Sequence, residues 1–583
     1  MIYMKVLLSY ISKRSAGMRP VWSRRCTCVP TRARKESQSD SLFPQKVSHK
    51  QILIDSCILS KIVSMSKLSK KKTEIKIENI FKEKFTAIYV GFMMVVFSIF
   101  YQNAFFNIAQ AKRMIYISST AVFVVLMLLF SAYSTIKEIK QFRYNKYDVI
   151  DILVLAMIAS WGIGMLFAVE PKEAFLGEYN KCTGLIMYLL GAVAMYYLAK
   201  YLQWKVELIW SFLFGTTIVY LLQILNRFNI DPLGMYDEIA DHQRMAYLST
   251  LGHGNYNAAY NCLTIVIGMI FFYLCKEKVS KIVYGTLLFI GFAWSICCCA
   301  DSVYLGIGVA VVVLFGYTCA HPEKWWDFYA QLVLYVTASA FVALINFIVP
   351  EQTTGFWGLS LSMIDFKIIS FEAAILMLLG ILIVCGSKGM KKYAMTISRV
   401  YIVLVLAIVL ISAITMIIVN IAGIDSGLLS FLYIDDNWGT SRGSIWKLIV
   451  ALLGASSIGN LLFGYGFNMV KQALDMVLGT TQNNMGEGIA DAHNEFLNSL
   501  VTSGIIGTAI ITAIIVLILI RGFRLLKENE KGLFVVIGLL AFIAQGMING
   551  PQSITTPVFL LELGVFWCLV RKENLGGEKN SEK

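Results

Sequence analysis

VYIVLVLAIVLISAITMIIVNIA, residues 400–422, contains no charged residue. A helix needs about twenty apolar residues to cross roughly 30 Å of hydrocarbon, so this run reads as a membrane span. Outward from it in both directions the pattern repeats. Comparable runs lie near 86–106, 115–135, 149–168, 184–202, 207–226, 256–275, 282–299, 302–320, 328–350, 368–386, 496–520, 533–549 and 554–570. The fold expected is all-α: a polytopic integral membrane protein of about 14 transmembrane helices. One large loop outside the cytoplasm is expected to carry short helices of its own.

Composition agrees. The chain has 583 residues, 57% hydrophobic and 15% charged, with a mean hydropathy of +0.66. Soluble domains average about 25% charged residues, so too few charges are present to cover a water-facing surface. The net charge of +14 suggests no nucleic-acid partner, because the basic residues sit in short runs between apolar segments rather than on one face of a soluble module. The partner that the pattern implies is a lipid bilayer. The twelve cysteines show neither a disulfide framework nor zinc-like spacing. Cys297, Cys298 and Cys299, with Cys262, Cys275, Cys385 and Cys568, fall in or near apolar runs and read as small packing residues.

The basic runs also orient the chain. With the N-terminus inside, the loops facing the cytoplasm carry about twice as many Lys and Arg as the opposite ones, although they are shorter. Both termini are therefore expected in the cytoplasm of a multi-pass protein of a bacterial cell membrane. The domain reading that follows has six parts. Residues 1–64 form a basic N-terminal extension, expected to precede a true start near Met65, and 65–85 a lysine-rich cytoplasmic lead-in. Helices 1–11 occupy 86–422. Residues 423–494 are a large extracytoplasmic loop, 495–570 hold helices 12–14, and 571–583 are a cytoplasmic tail. The next largest outside loops are 227–255 and 351–367.

The 423–494 loop holds the residues with chemical potential. Arg442 stands in GTSRGSIW (439–446), at the start of an amphipathic helix bearing Ile445, Trp446, Ile449 and Leu453. A guanidinium at a helix start suits a phosphate, to which it donates paired hydrogen bonds beside exposed backbone N–H groups. It equally suits an interfacial anchor formed with Trp446. In DAHNEFLNSL (491–500), His493 and Asn494 are expected in the first turn of the following helix, with Asp491 as its N-cap. There the helix dipole favours a neutral imidazole able to accept a proton. A simple capping histidine is the alternative.

Taken together, GTSRGSIW, the turn GNLLFGYGFN (459–468) and HNEFL followed by GIIG (493–507) resemble the bacterial O-antigen ligase/polymerase family of membrane glycosyltransferases. Weaker likenesses lie upstream in LGEYNKCTGL (176–185), TLGHGNYNAAY (250–260) and CADSVYLGIG (299–308). Val303 stands where that family often has an arginine, so Lys181 and Arg244 are candidates to supply the positive charge instead. The resemblance implies transfer of a glycan from a polyprenyl-diphosphate-linked donor to a hydroxyl of a glycan, lipid or protein acceptor, with no metal and no cofactor. It assigns catalysis to Arg442, which would stabilise the leaving diphosphate, and to His493, which would deprotonate or orient the acceptor. Lys181, Arg244, His253, Trp446, Asn494 and Asp491 are the expected substrate-binding residues. About fourteen crossings lean toward a polymerase rather than a ligase. The competing class is a lipid-linked-oligosaccharide flippase or other transporter, which places charges inside helices and tends to repeat internally. Here the helices look almost free of charge.

Overall fold

The computed structural model describes residues 79–140, 148–179, 181–425, 427 and 432–581. All that follows concerns the unit Thr73–Lys583. The expected extension 1–64 and most of the lead-in 65–85 lie outside the described residues.

The chain is an all-α polytopic membrane protein. Its first helices are α1 (79–99), α2 (Ile108–Lys140), α3 (Val149–Gly164), the short α4 (Pro171–Leu176), α5 (Leu185–Tyr201) and α6 (Val206–Arg227). Then come α7 (Asp241–Arg244), a two-stranded ladder of β1 (Tyr247–Leu248) with β2 (Gly252–His253), α8 (Gly254–Leu274), α9 (Lys278–Cys297), α10 (Val303–Ala320) and α11 (Trp325–Ile348). The short α12 (Gly358–Met363) leads to α13 (Phe366–Ala422), followed by α14 (Trp438–Gly454), α15 (Ile458–Phe463) and α16 (Val470–Leu478). The last three are α17 (Glu495–Glu528), α18 (Gly532–Gly546) and α19 (Thr556–Ser581). Among the described residues ten segments are long and apolar enough to cross a membrane, and α5 and α18 are shorter apolar helices.

Small residues let the central helices meet. Gly191 of α5 faces Leu560 of α19 and Tyr116 of α2, Gly564 of α19 faces Leu198 and Met195 of α5, and Gly538 of α18 faces Phe566. Without a hydrophobic force between helices in lipid, such close approach is what dispersion needs. One end of the bundle is fastened by ion pairs. Asp148 and Asp151 cap α3 reciprocally, and each also accepts a forked guanidinium: Arg521 Nη2 is 2.6 Å from Asp148 Oδ1, and Arg571 Nη1 is 2.7 Å from Asp151 Oδ1. Lys281 pairs with Asp327 at the same end.

Two expectations need correcting. The two spans expected at 368–386 and 400–422 are present as Phe366–Gly386 and Lys391–Ala422, but in place of the expected loop between them helical structure is continuous over all 57 residues of α13. The linking segment contains glycine and lysine but no proline, so nothing removes a backbone donor and stops the helix. The helices are also less free of charge than the sequence suggested. Lys112 in α2 is fully buried, its Nζ donating to Phe97 O (2.7 Å) and Ser98 O (2.9 Å). Those carbonyls end the π-turn Met93–Phe97, a geometry that leaves acceptors free. Glu562 lies in α19 with one buried oxygen that has no hydrogen bond.

Candidate active site

The opposite end of the bundle gathers the loops. Ser553 N donates to Lys181 O (3.2 Å), Arg442 Nε to Ile548 O (2.9 Å), and Cys298 Sγ to Gly254 O (3.4 Å). With the bond from Lys181 Nζ to Tyr256 OH (3.4 Å), these contacts bring 177–179, 181–184, 241–254, 297–302, 432–494 and 546–555 to one place. Each of the nine described non-glycine residues with positive φ, including Cys182, Ser249, Thr440, Ser441 and His493, lies in a segment at this end. Such backbone conformations cost energy and concentrate where function demands a fixed geometry.

Arg442 is presented by one of these. Gly439, Thr440 and Ser441 are all left-handed, so the right-handed part of α14 begins at Arg442 itself. The guanidinium then reaches across to Ile548 O and back to Gly439 O. Ile445 and Ile449 bury the inner face of the helix. Trp446 donates from Nε1 to Ala492 O (3.0 Å), so it braces the turn carrying the histidine rather than anchoring a free surface.

That turn differs from the expectation in one respect. The N-cap of α17 is Asn494, whose Oδ1 accepts from Phe496 N and Leu497 N at 3.0 Å each, and whose Nδ2 donates to Met547 O (2.8 Å). Asp491 is not the cap. It folds back as an Asx turn, Oδ1 accepting from His493 N (2.6 Å). His493 therefore precedes the helix, with φ 45°, and its environment is set by neighbouring side chains more than by the dipole.

Those neighbours form a charged cluster. Asp491, 4% exposed at the side chain, has Lys181 Nζ 3.1 Å from Oδ2 and His493 Nδ1 3.5 Å from Oδ1. Lys181 also donates to Tyr256 OH (3.4 Å) and lies over that ring. Burial alone would raise the Asp491 carboxyl, but Lys181, His493 and the His493 N–H hold it below its ordinary value. Burial would lower Lys181, and Asp491 with Tyr256 reverses that, so the ammonium is held charged. Burial lowers His493; Asp491 opposes this, while Lys181 and Arg442 add to it, leaving the ring neutral. His253, the N-cap of α8, is pushed down to about 4 by burial, Lys181 and His493.

The structure thus brings Lys181, His253, Arg442, Asp491 and His493 together, with Trp446 and Asn494 holding the turn from behind. It does not bring Arg244 in: that guanidinium pairs with Asp241 (3.2 Å) and lies over Tyr236. Two cations escaped sequence reasoning. Arg113 donates to Leu176 O (2.9 and 2.6 Å) beside the Lys181 segment. Arg227, fully buried, donates to Cys297 O, Gly355 O and Thr354 Oγ1, tying three loops together. Both sit at the ends of apolar runs, where a lone arginine looks like a flank.

The expected turn at 459–468 takes on a definite role. In α17, Gly504 breaks the helix with φ 67°, ψ −175°. The carbonyls this releases are capped by the turn: Tyr465 N donates to Val501 O (2.8 Å) and Gly466 N to Thr502 O (3.2 Å). A side chain on Gly464 would meet the Thr502 carbonyl at 2.4 Å, and one on Gly504 the Leu462 carbonyl at 2.4 Å. Among the described residues no group of His, Cys, Asp and Glu could hold a metal ion. No protein-family model matches this chain, and no curated protein matches it.

Proposed function

We propose that the chain is a membrane glycosyltransferase that moves a glycan from a polyprenyl diphosphate carrier to an acceptor hydroxyl, as a polymerase or ligase of cell-surface polysaccharide. The observation that carries this reading is the convergence of Arg442, Lys181 and His493 around one buried carboxylate, from segments some three hundred residues apart. Arg442 and Lys181 are fixed cations able to take up charge that grows on a departing diphosphate. His493, kept neutral, accepts the proton of the attacking hydroxyl, and Asp491 stabilises the imidazolium that forms. His253 is the second neutral ring at the mouth and hydrogen-bonds sugar. The site end faces away from the cytoplasm in this reading, in keeping with the distribution of Lys and Arg.

The test is turnover by purified protein given a polyprenyl-diphosphate-linked repeat unit. A ladder of longer glycans, lost in Arg442→Ala while the protein stays in the membrane, identifies a polymerase. Transfer only after a candidate lipid or protein acceptor is added identifies a ligase. Buried Lys112 and the buried, unbonded oxygen of Glu562 favour the second reading, a lipid-linked-oligosaccharide flippase or other transporter, because ionisable groups inside helices mark conduction paths. Silence in both assays, with substrate movement across proteoliposomes, would establish it.

A further inference from the structure

Beneath the charged cluster a cavity of about 90 Å³ runs down the inner face of α17. Its wall carries a polar stripe at helical spacing: Glu495, Ser499, Ser503, then Thr508 and Thr512 after the extra residue at the Gly504 break. Ser499 and Ser503 hydroxyls are 3.1 Å apart, and Thr508 donates to Ser499 at 2.9 Å. The facing wall is aromatic, with Trp161, Tyr188 and Phe467 in mutual contact. Glu495 opens the stripe two residues after His493, and among the described residues nothing hydrogen-bonds its carboxyl group and no cation pairs with it.

We infer that this slot is a sugar subsite, taking one pyranose ring of a substrate with Glu495 hydrogen-bonded to its hydroxyls; the inference rests on the transferase reading above. Ser499, Ser503 and Thr508 already bond one another and the backbone, but the Glu495 carboxyl has no partner, which is costly beside a prenyl chain able to offer it none. A pyranose offers both donors and acceptors to the stripe and an apolar face to Trp161 and Phe467. The cavity, about 90 Å³, lies between a hydroxyl stripe and an aromatic wall, the two kinds of surface that a pyranose ring matches. The ring belongs either to the acceptor or to the donor glycan, and the chemistry of recognition is the same.

The test places cysteine at Thr512 and, separately, at Ser499, and follows modification of that position by an anionic methanethiosulfonate, using peptide mass mapping. Glucose, galactose, mannose, N-acetylglucosamine and N-acetylgalactosamine are added one at a time, at concentrations that saturate a site of about millimolar Kd. The expected result is that at least one sugar slows modification about tenfold, and that Glu495→Gln in the same background abolishes this protection. A slot that reacts but is protected by none of the five, or that reacts at neither position, overturns the inference. In the turnover assay, Glu495→Gln is expected to raise KM about tenfold for the substrate whose ring occupies the slot, with kcat little changed. A rise for the acceptor or for the donor identifies the source. Protection by sugar without turnover in the wild type would leave the slot standing and remove the transferase reading.

Discussion

At the scale of single residues, the cluster makes its titration predictable. His493 is held below the ordinary histidine value by burial, Lys181 and Arg442, against Asp491. A ring so depressed keeps its neutral form into mild acid, so if it is the base of the proposed transfer the acid limb of the pH–rate profile is expected below the ordinary histidine value of about 6.5. Lys181→Met removes a depressing cation and leaves Asp491, so the limb should move upward; a pH–rate series on the two proteins checks it. Stability follows the same sign. The unfolded chain binds a proton at His253 near pH 6.5 while the folded chain binds it only near 4. Stability contributed there is therefore complete above 6.5 and declines as pH falls toward 4, a decline that His253→Asn should flatten in thermal unfolding. Asn494→Ala loses the cap of α17 and the bond to Met547 O, an expected cost of about 1–2 kcal/mol. These residues were legible because polar groups in an apolar chain stand out. Which of two Asx residues caps the helix was not, since Asp491 and Asn494 both fit the role and only the packing of Asn494 on Met547 decides it. Arg244 looked as available as Lys181, and its partners Asp241 and Tyr236 lie within its own loop.

At the scale of elements, sequence periodicity located helices well and joined them poorly. The run at 400–422 was plain, yet the helical continuity of α13 through 387–399 was not, because a short basic segment without proline reads as loop when apolarity is the guide. Likewise 459–468 reads as a turn, whereas its partner is a helix break forty residues away. The glycines separate two effects here. Gly479 and Gly464 both have positive φ, but a Cβ on Gly479 meets open space while one on Gly464 meets the Thr502 carbonyl. Gly479→Ala should cost only the left-handed penalty of about 1–2 kcal/mol. Gly464→Ala should instead undock the turn, seen as a large fall in folded yield and loss of turnover. Equal effects of the two substitutions would mean that the turn and the break are not coupled.

At the scale of the whole described bundle, the charged cluster and the ionic fastening are at opposite ends. The loop end carries the strained residues and the charged cluster; the other carries the forked pairs Arg521–Asp148 and Arg571–Asp151. Removing one partner of a largely buried pair leaves a charge unpaired, so Arg571→Met is expected to destabilise by about 3 kcal/mol. The double change with Asp151→Asn should recover most of that in denaturant or thermal unfolding. Burial, unlike hydropathy, is a property of this arrangement, which is why the burial of Lys112 and Arg227 was invisible in the sequence. The break at Gly504 carries one more consequence, in the order of synthesis. Residues 464–466 leave the ribosome before 501–504 do, so the donors that satisfy the interrupted helix exist before the acceptors they serve. The turn is therefore already in the chain, available to dock, when α17 inserts. In a chain in which the 423–494 segment followed α17, the donors for Val501 O and Thr502 O would be made only after that helix.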